Sequence, residues 1–149
     1  MIEALTLFEQ SILLFIQNNL RVDFLNPIVV FITRLGDMGI AWMVLGVIML
    51  FFKKTRRGGL IMLLCLAGAW LVNDFVLKPL VARIRPYDAM SSLSILVNAE
   101  SSFSFPSGHT NASFASVIAL TMVYGKKGAW AYLPASLIAL SRLYVGVHY

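Results

Sequence analysis

The chain has 149 residues, of which 59% are hydrophobic and only 13% charged, and its mean hydropathy is +0.81. A soluble domain of this length needs far more polar surface to stay dispersed, so the composition points to a membrane protein. The net charge of +5 does not indicate nucleic-acid binding, because the cations sit in short clusters between long apolar runs.

The first ten residues carry Glu3 and Glu9 and no basic patch. No cleavable signal peptide is evident there, and the first membrane segment is expected to direct insertion itself. Glu3, Thr6, Gln10 and Gln17 recur at spacings of three, four and seven, opposite Leu5, Phe8, Ile12, Phe15 and Ile16. This pattern predicts an amphipathic helix lying in the membrane interface or packed against a bundle. Asn26-Pro27 reads as a helix start, with Asn as cap and Pro as first helical residue. The helix that follows, to about Leu35, is too short to span a bilayer alone.

Four apolar runs follow: Met38–Phe52, Gly58–Leu77, Gly108–Gly125 and Gly128–Val147. A span takes about 20 apolar residues, so the last three fit. The first, at 15 residues, borrows flanking residues. Cys65, the one cysteine, lies inside the second run and reads as a small core residue with no disulfide partner. With no internal repeat, residues 1–149 read as a single all-α domain. The expected architecture is a polytopic transmembrane bundle of about four spans plus N-terminal amphipathic helices.

Lys53, Lys54, Arg56 and Arg57 follow the first run, and Lys126 and Lys127 follow the third. Two spans separate these clusters, so they share a side, which the positive-inside rule makes cytoplasmic. The stretch 78–107 and the end of the chain then face outward in a multi-pass cell-membrane protein. Lys78, Arg83, Arg85 and Arg142 fall on that outer side, where the rule disfavours them.

Three short patterns lie on this face. Lys78-Pro79 opens the first and Arg85-Pro86 closes it, with Pro79 expected to end the helix near Lys78; alone, these cations read equally as headgroup-snorkelling residues. In the second, Pro106-Ser107-Gly108-His109, Ser107 suits a helix N-cap and Gly108 permits close backbone approach. The free N–H groups at such a helix start attract anions, and His109 can exchange a proton near neutrality; a plain capped helix with an interfacial His109 is the alternative. The third is Ser141-Arg142 with His148 six residues on. Arg142 within an apolar run is costly and suggests function, whereas His148 by itself could be an idle tail residue. Both can point into a bundle if the helix bends or ends near Gly146.

As a set, these residues resemble the type 2 phosphatidic acid phosphatase superfamily of integral-membrane lipid phosphatases, whose signature runs K-x6-RP, PSGH and SR-x5-H-x3-D. The resemblance covers residues 78–148. It implies a phosphomonoester or diphosphate hydrolase that needs no metal or other cofactor. His148 is then the nucleophile that forms a phosphohistidine, and His109 the group that protonates the leaving oxygen. Lys78, Arg85, Arg142, Ser107 and the Gly108 N–H are the groups that hold the phosphoryl oxygens; Arg83 is not required. The implied partners are the bilayer and a lipid phosphate resembling undecaprenyl diphosphate, with phosphatidylglycerophosphate and phosphatidate as rivals. A non-catalytic binder or transporter of lipid phosphates is the alternative of another class. The family's third motif ends in an Asp four residues beyond its histidine, whereas this sequence stops at Tyr149. The resemblance thus implies a C-terminally shortened member with an unoriented His148 and little or no turnover.

Overall fold

Across the described residues, 2–149 of the computed structural model, every regular element is a helix. α1 (Ile2–Phe15) runs into a wide π-type turn, Ile16–Leu20, and α2 (Leu25–Leu35) follows. A tight turn, Asp37–Gly39, leads into α3 (Ile40–Leu50), and α4 (Arg56–Val72) continues through a second π-type turn, Asn73–Leu77, into the short α5 (Lys78–Val81). The one-turn α6 (Pro86–Ala89) precedes an irregular segment, after which come α7 (Gly108–Tyr124) and α8 (Tyr132–Tyr144).

The core lies among α3, α4, α7 and α8, where Met62, Val117 and Ala135 are fully buried. Trp42 joins them and donates its indole N–H to Ser113 Oγ at 3.0 Å, so its polar edge is satisfied. α3 and α4 approach closely because two glycines meet: a Cβ on Gly46 would lie 2.7 Å from Leu63 Cδ2, and one on Gly59 would lie 2.6 Å from the Gly46 carbonyl oxygen. Small residues that let backbones approach are how helices associate in lipid, where burying apolar side chains gives no advantage.

The exterior follows the same logic. α7 buries Ser113 and Ser116 while Ile118 and Met122 point outward. α1 and the wide turn after it set polar side chains against the protein: Glu9 pairs with Arg83, and Gln17 Nε2 donates to the Ser92 carbonyl at 3.0 Å. Leu5, Leu7, Phe8, Ile12 and Phe15 of α1 are exposed. Among the described side chains of α1, Leu13 is the one large apolar group that is fully buried, against Met90 and Leu93.

Several expected helix boundaries and placements need correction, while the expected count of about four spans stays an expectation. Among the described residues, the 34-residue stretch Arg56–Ala89 is the one helical stretch that by length and composition could cross a membrane by itself, and α2 with Asp37–Leu50, bent by 45°, forms a second candidate. α7 and α8, at 17 and 13 residues, rise only about 25 and 20 Å. The turns at Gly125–Lys127 and Ala129–Ala131 take up residues that the apolar pattern assigns to spans. Pro79 does not end the helix at Lys78. The π-type turn, with the Lys78 N–H bonded to the Asn73 carbonyl, shifts the carbonyls that the proline ring would meet, and the helix runs on to Ala82 at φ 46°. Asn26 is not the cap of α2, which begins at Leu25; its Oδ1 accepts from the Tyr144 hydroxyl at 3.0 Å instead. Cys65 is exposed on α4 rather than in the core.

The basic turns after α3 and α7 meet at one end of the bundle, where the Tyr124 hydroxyl donates to the Thr55 carbonyl at 3.1 Å. The C-terminal ends of α4 and α8 and the N-terminal end of α7 gather at the other.

Candidate active site

Lys78 and Arg85 are each placed by a local departure from α-helical geometry. Asp74, in the wide turn, lies one turn before Lys78, and Lys78 Nζ sits 2.6 Å from its Oδ1 and donates to Ser102 Oγ at 3.2 Å. The left-handed Ala82 then swings the chain so that Arg85 enters the protein just before α6. Arg85 is 2% exposed. Its Nε donates to the Ser102 carbonyl at 2.7 Å, Nη1 to the Val147 carbonyl at 3.0 Å, and Nη2 to Glu100 Oε2 at 2.7 Å. Such a spread of donors from one planar group is within reach of Arg and not of Lys.

Arg142, near the end of α8, is equally buried. Its Nη1 donates to Thr33 Oγ1 at 2.7 Å, and its Nη2 pairs with Glu100 Oε1. Glu100 therefore spans both guanidiniums, one oxygen to each. Burial works against its ionisation, yet Arg142 and Arg85 beside it hold the carboxyl below the usual carboxylate range.

α8 ends at Tyr144, and Gly146, at φ +84°, turns the chain back. This reversal brings His148 into the interior at 3% exposure, although it lies six residues beyond Arg142. His148 Nδ1 is 2.5 Å from the Ser104 carbonyl, which can only accept, so Nδ1 carries the proton. Nε2, unprotonated, accepts from Arg85 Nη1 at 3.3 Å. Burial first, then Arg85 and Arg142, push the His148 pKa down to about 3, and the ring is neutral at physiological pH. The expected lack of orientation is thus corrected: a backbone carbonyl of the serine-rich segment holds the ring.

Ser107 caps α7, accepting from the Thr110 N–H at 3.4 Å, and a Cβ on Gly108 would meet nothing within 4 Å. His109 Nε2 lies 2.9 Å from Asp37 Oδ1, on the turn between α2 and α3. Lys78, Glu100, Gly108 and His109 line a cavity of about 750 Å³ whose remaining wall includes Leu66 and Trp70. Ser107 and His148 line a second cavity of about 340 Å³. Lys78, Arg85, Arg142 and His148 thus form one network through Ser102 and Glu100, whereas the two histidines open on different cavities that share Asn111. Arg83 stands apart, paired with Glu9 and 3.9 Å above the Tyr149 ring.

Sequence reasoning overlooked Thr33, Asp37, Glu100, Ser102 and Ser104. Glu100 alone left a signal, as the one carboxylate after Asp88 in a stretch rich in unexplained cations. Thr33 and Asp37 come from the N-terminal part, which the motifs do not reach.

The sequence profile of the PAP2 superfamily matches residues 58–149. An undecaprenyl-diphosphatase of Sulfolobus acidocaldarius is 30% identical over 132 residues, covering 87% of this chain and 62% of the relative. Phosphatidylglycerophosphatase B of Bacillus subtilis is 38% identical over 144 residues, covering 87% and 67%. The chain therefore spans about two thirds or less of the length of these curated relatives. In three dimensions it is similar to the crystal structure of a transmembrane PAP2-type phosphatidylglycerolphosphate phosphatase from Bacillus subtilis. The TM-score is 0.76 at 31% identity, over 97% of this chain and 75% of that one.

Proposed function

Because the chain belongs to the PAP2 superfamily, we propose that it is a membrane-embedded phosphatase that removes a terminal phosphate from a lipid through a phosphohistidine. The observation that carries this reading is a pair of buried guanidiniums bridged by Glu100, with a neutral imidazole whose Nε2 faces one of them, Arg85. Arg85 and Arg142, with Lys78, Ser107 and the Gly108 N–H, hold the phosphoryl oxygens and stabilise the charge that develops on them. His148 Nε2 attacks phosphorus as the bond to the leaving oxygen breaks, and His109 delivers a proton to that oxygen. Water then attacks the phosphohistidine, giving up its proton to His109, and inorganic phosphate leaves.

The lipid chain occupies the larger cavity, whose wall turns apolar away from Lys78 and His109. An undecaprenyl-diphosphate-like substrate is the first reading. The 38% identity to phosphatidylglycerophosphatase B favours phosphatidylglycerophosphate as the second. The proposal includes about four crossings of the cell membrane, with the basic turns in the cytoplasm and the site on the extracytoplasmic face.

The test is phosphate release by detergent-purified protein across a panel of lipid mono- and diphosphates. His148→Ala is expected to abolish release while sparing phosphate binding, and a chelator to leave the rate unchanged. If His148→Ala left the rate intact, the phosphohistidine route would fall, and a binder or transporter would become the better reading.

A further inference from the structure

Two guanidiniums, each about 2% exposed, converge on a single carboxylate, that of Glu100. Glu100 occupies the position that a phosphoryl group takes when it is held by two forks. Its own side chain is a third exposed, and no helix holds it. The segment around it consists of turns and bends, and among the described residues the backbone of residue 100 is anchored through the Tyr87 hydroxyl, by contacts of 2.9 and 3.0 Å. A change of side-chain rotamer frees the cradle without breaking regular structure.

Lys78 already has a carboxylate partner in Asp74, so the charge it adds for a ligand is offset, and the contest with Glu100 is over the two arginines. A phosphodiester carries one negative charge. It would displace one carboxylate with one equivalent anion and gain nothing in charge. A terminal phosphate carries two charges and a third free oxygen, and so gains a charge-assisted contact that Glu100 cannot match.

We propose that Glu100 is a charge filter: its carboxylate stands in for phosphate between Arg85 and Arg142, and it yields to terminal phosphate dianions but not to phosphodiesters. This rests on the reading of the two arginines as phosphate-holding groups. Its use follows from the surroundings: Glu100 lines the larger cavity in front of the two buried arginines, and a lipid phosphatase works among a great excess of phosphodiester headgroups.

The test is titration calorimetry on the full chain in detergent at mildly alkaline pH, with glycerol 3-phosphate as the dianionic monoester and dimethyl phosphate as the monoanionic diester. The wild type is expected to bind the monoester and to bind the diester much more weakly. In Glu100→Gln the diester affinity is expected to rise about tenfold or more relative to the monoester, the scale set by removing one close charged competitor. Glu100→Asp, which keeps the charge but reaches less far, falls between the two. A brace with no filtering role predicts that both probes weaken together and their ratio stays put, which overturns the filter. If Glu100→Gln does not fold, a wild-type ratio in Glu100→Asp overturns it equally. If neither wild type nor variants bind either probe, the phosphate-site reading falls as well; binding of the monoester with an unchanged ratio removes the filter alone.

Discussion

The Nε2 of His148 and the Nη1 of Arg85 lie 3.3 Å apart, with both side chains almost wholly buried. An arginine beside an imidazole does two things: it disfavours the imidazolium and gives the bare nitrogen a donor until an anion draws that donor away. Burial does most to keep the ring neutral, and this contact adds to it while tying the ring to the guanidinium proposed to receive phosphate.

Arg85→Lys tests whether the fork or the charge matters. Lysine keeps the cation but cannot reach the Ser102 and Val147 carbonyls and Glu100 together. The turnover rate should drop by about 10²–10³-fold, the usual loss when one preorganised donor to a developing charge is removed. Phosphate release at saturating substrate measures it, and a near wild-type rate would mean that point charge alone suffices.

Acid should destabilise the fold through His148. An unfolded histidine takes a proton near pH 6.5, whereas the folded one does so only at about 3. Between these values the unfolded chain binds more protons, so stability falls as pH drops through that window. The lowered Glu100 carboxyl acts in the same direction further down. Melting temperatures in detergent should therefore fall from neutral pH towards about pH 5, and His148→Gln should flatten that slope. An unchanged slope would show that the ring is not held neutral.

Asp37 is expected to act as a positioning residue for His109, its 2.9 Å partner. Asp37→Ala should lower the turnover rate by about 10–100-fold, part of the 10²–10⁴ that a general acid supplies, with KM little changed. A purely structural Asp37 would change melting temperature and leave the rate of the folded fraction intact. Combining it with His109→Gln should then add little, because the two act as a unit.

Gly146→Ala probes the reversal that delivers His148. The backbone there sits at φ +84°, and a Cβ would lie 2.7 Å from Arg21 Nη2 and 2.9 Å from the Ser94 carbonyl oxygen. The left-handed conformation alone costs about 1–2 kcal/mol for a residue with a Cβ, so the melting temperature should fall. Orthovanadate binding should weaken in parallel, because the turn and the ring move together. Full retention of both would place the strain elsewhere.

The motif residues Lys78, Arg85, Arg142 and His148 are recognisable in one dimension because their spacing within short segments matches the superfamily's signature, and because cations expected on the outer side of a membrane protein need a reason. The helical class is equally plain from the long apolar runs. Less legible were helix ends. Pro79 looks like a stop, yet a π-type turn, a matter of backbone register with no compositional mark, carries the helix past it. Cys65 illustrates the same limit: in an apolar helix facing lipid, hydropathy does not tell inside from outside, because both environments are apolar.

What the sequence by itself determined is the chemistry on offer: cations, two histidines and a capped helix start, in a chain too apolar for water. What only the tertiary structure decided is which groups neutralise and orient them. Thr33 meets Arg142 across 109 positions, Asp37 meets His109 across 72, and Ser104 meets His148 across 44. The physical reason is that a buried charge or imidazole must find a partner wherever packing places one. Packing unites residues by surface shape rather than by order along the chain.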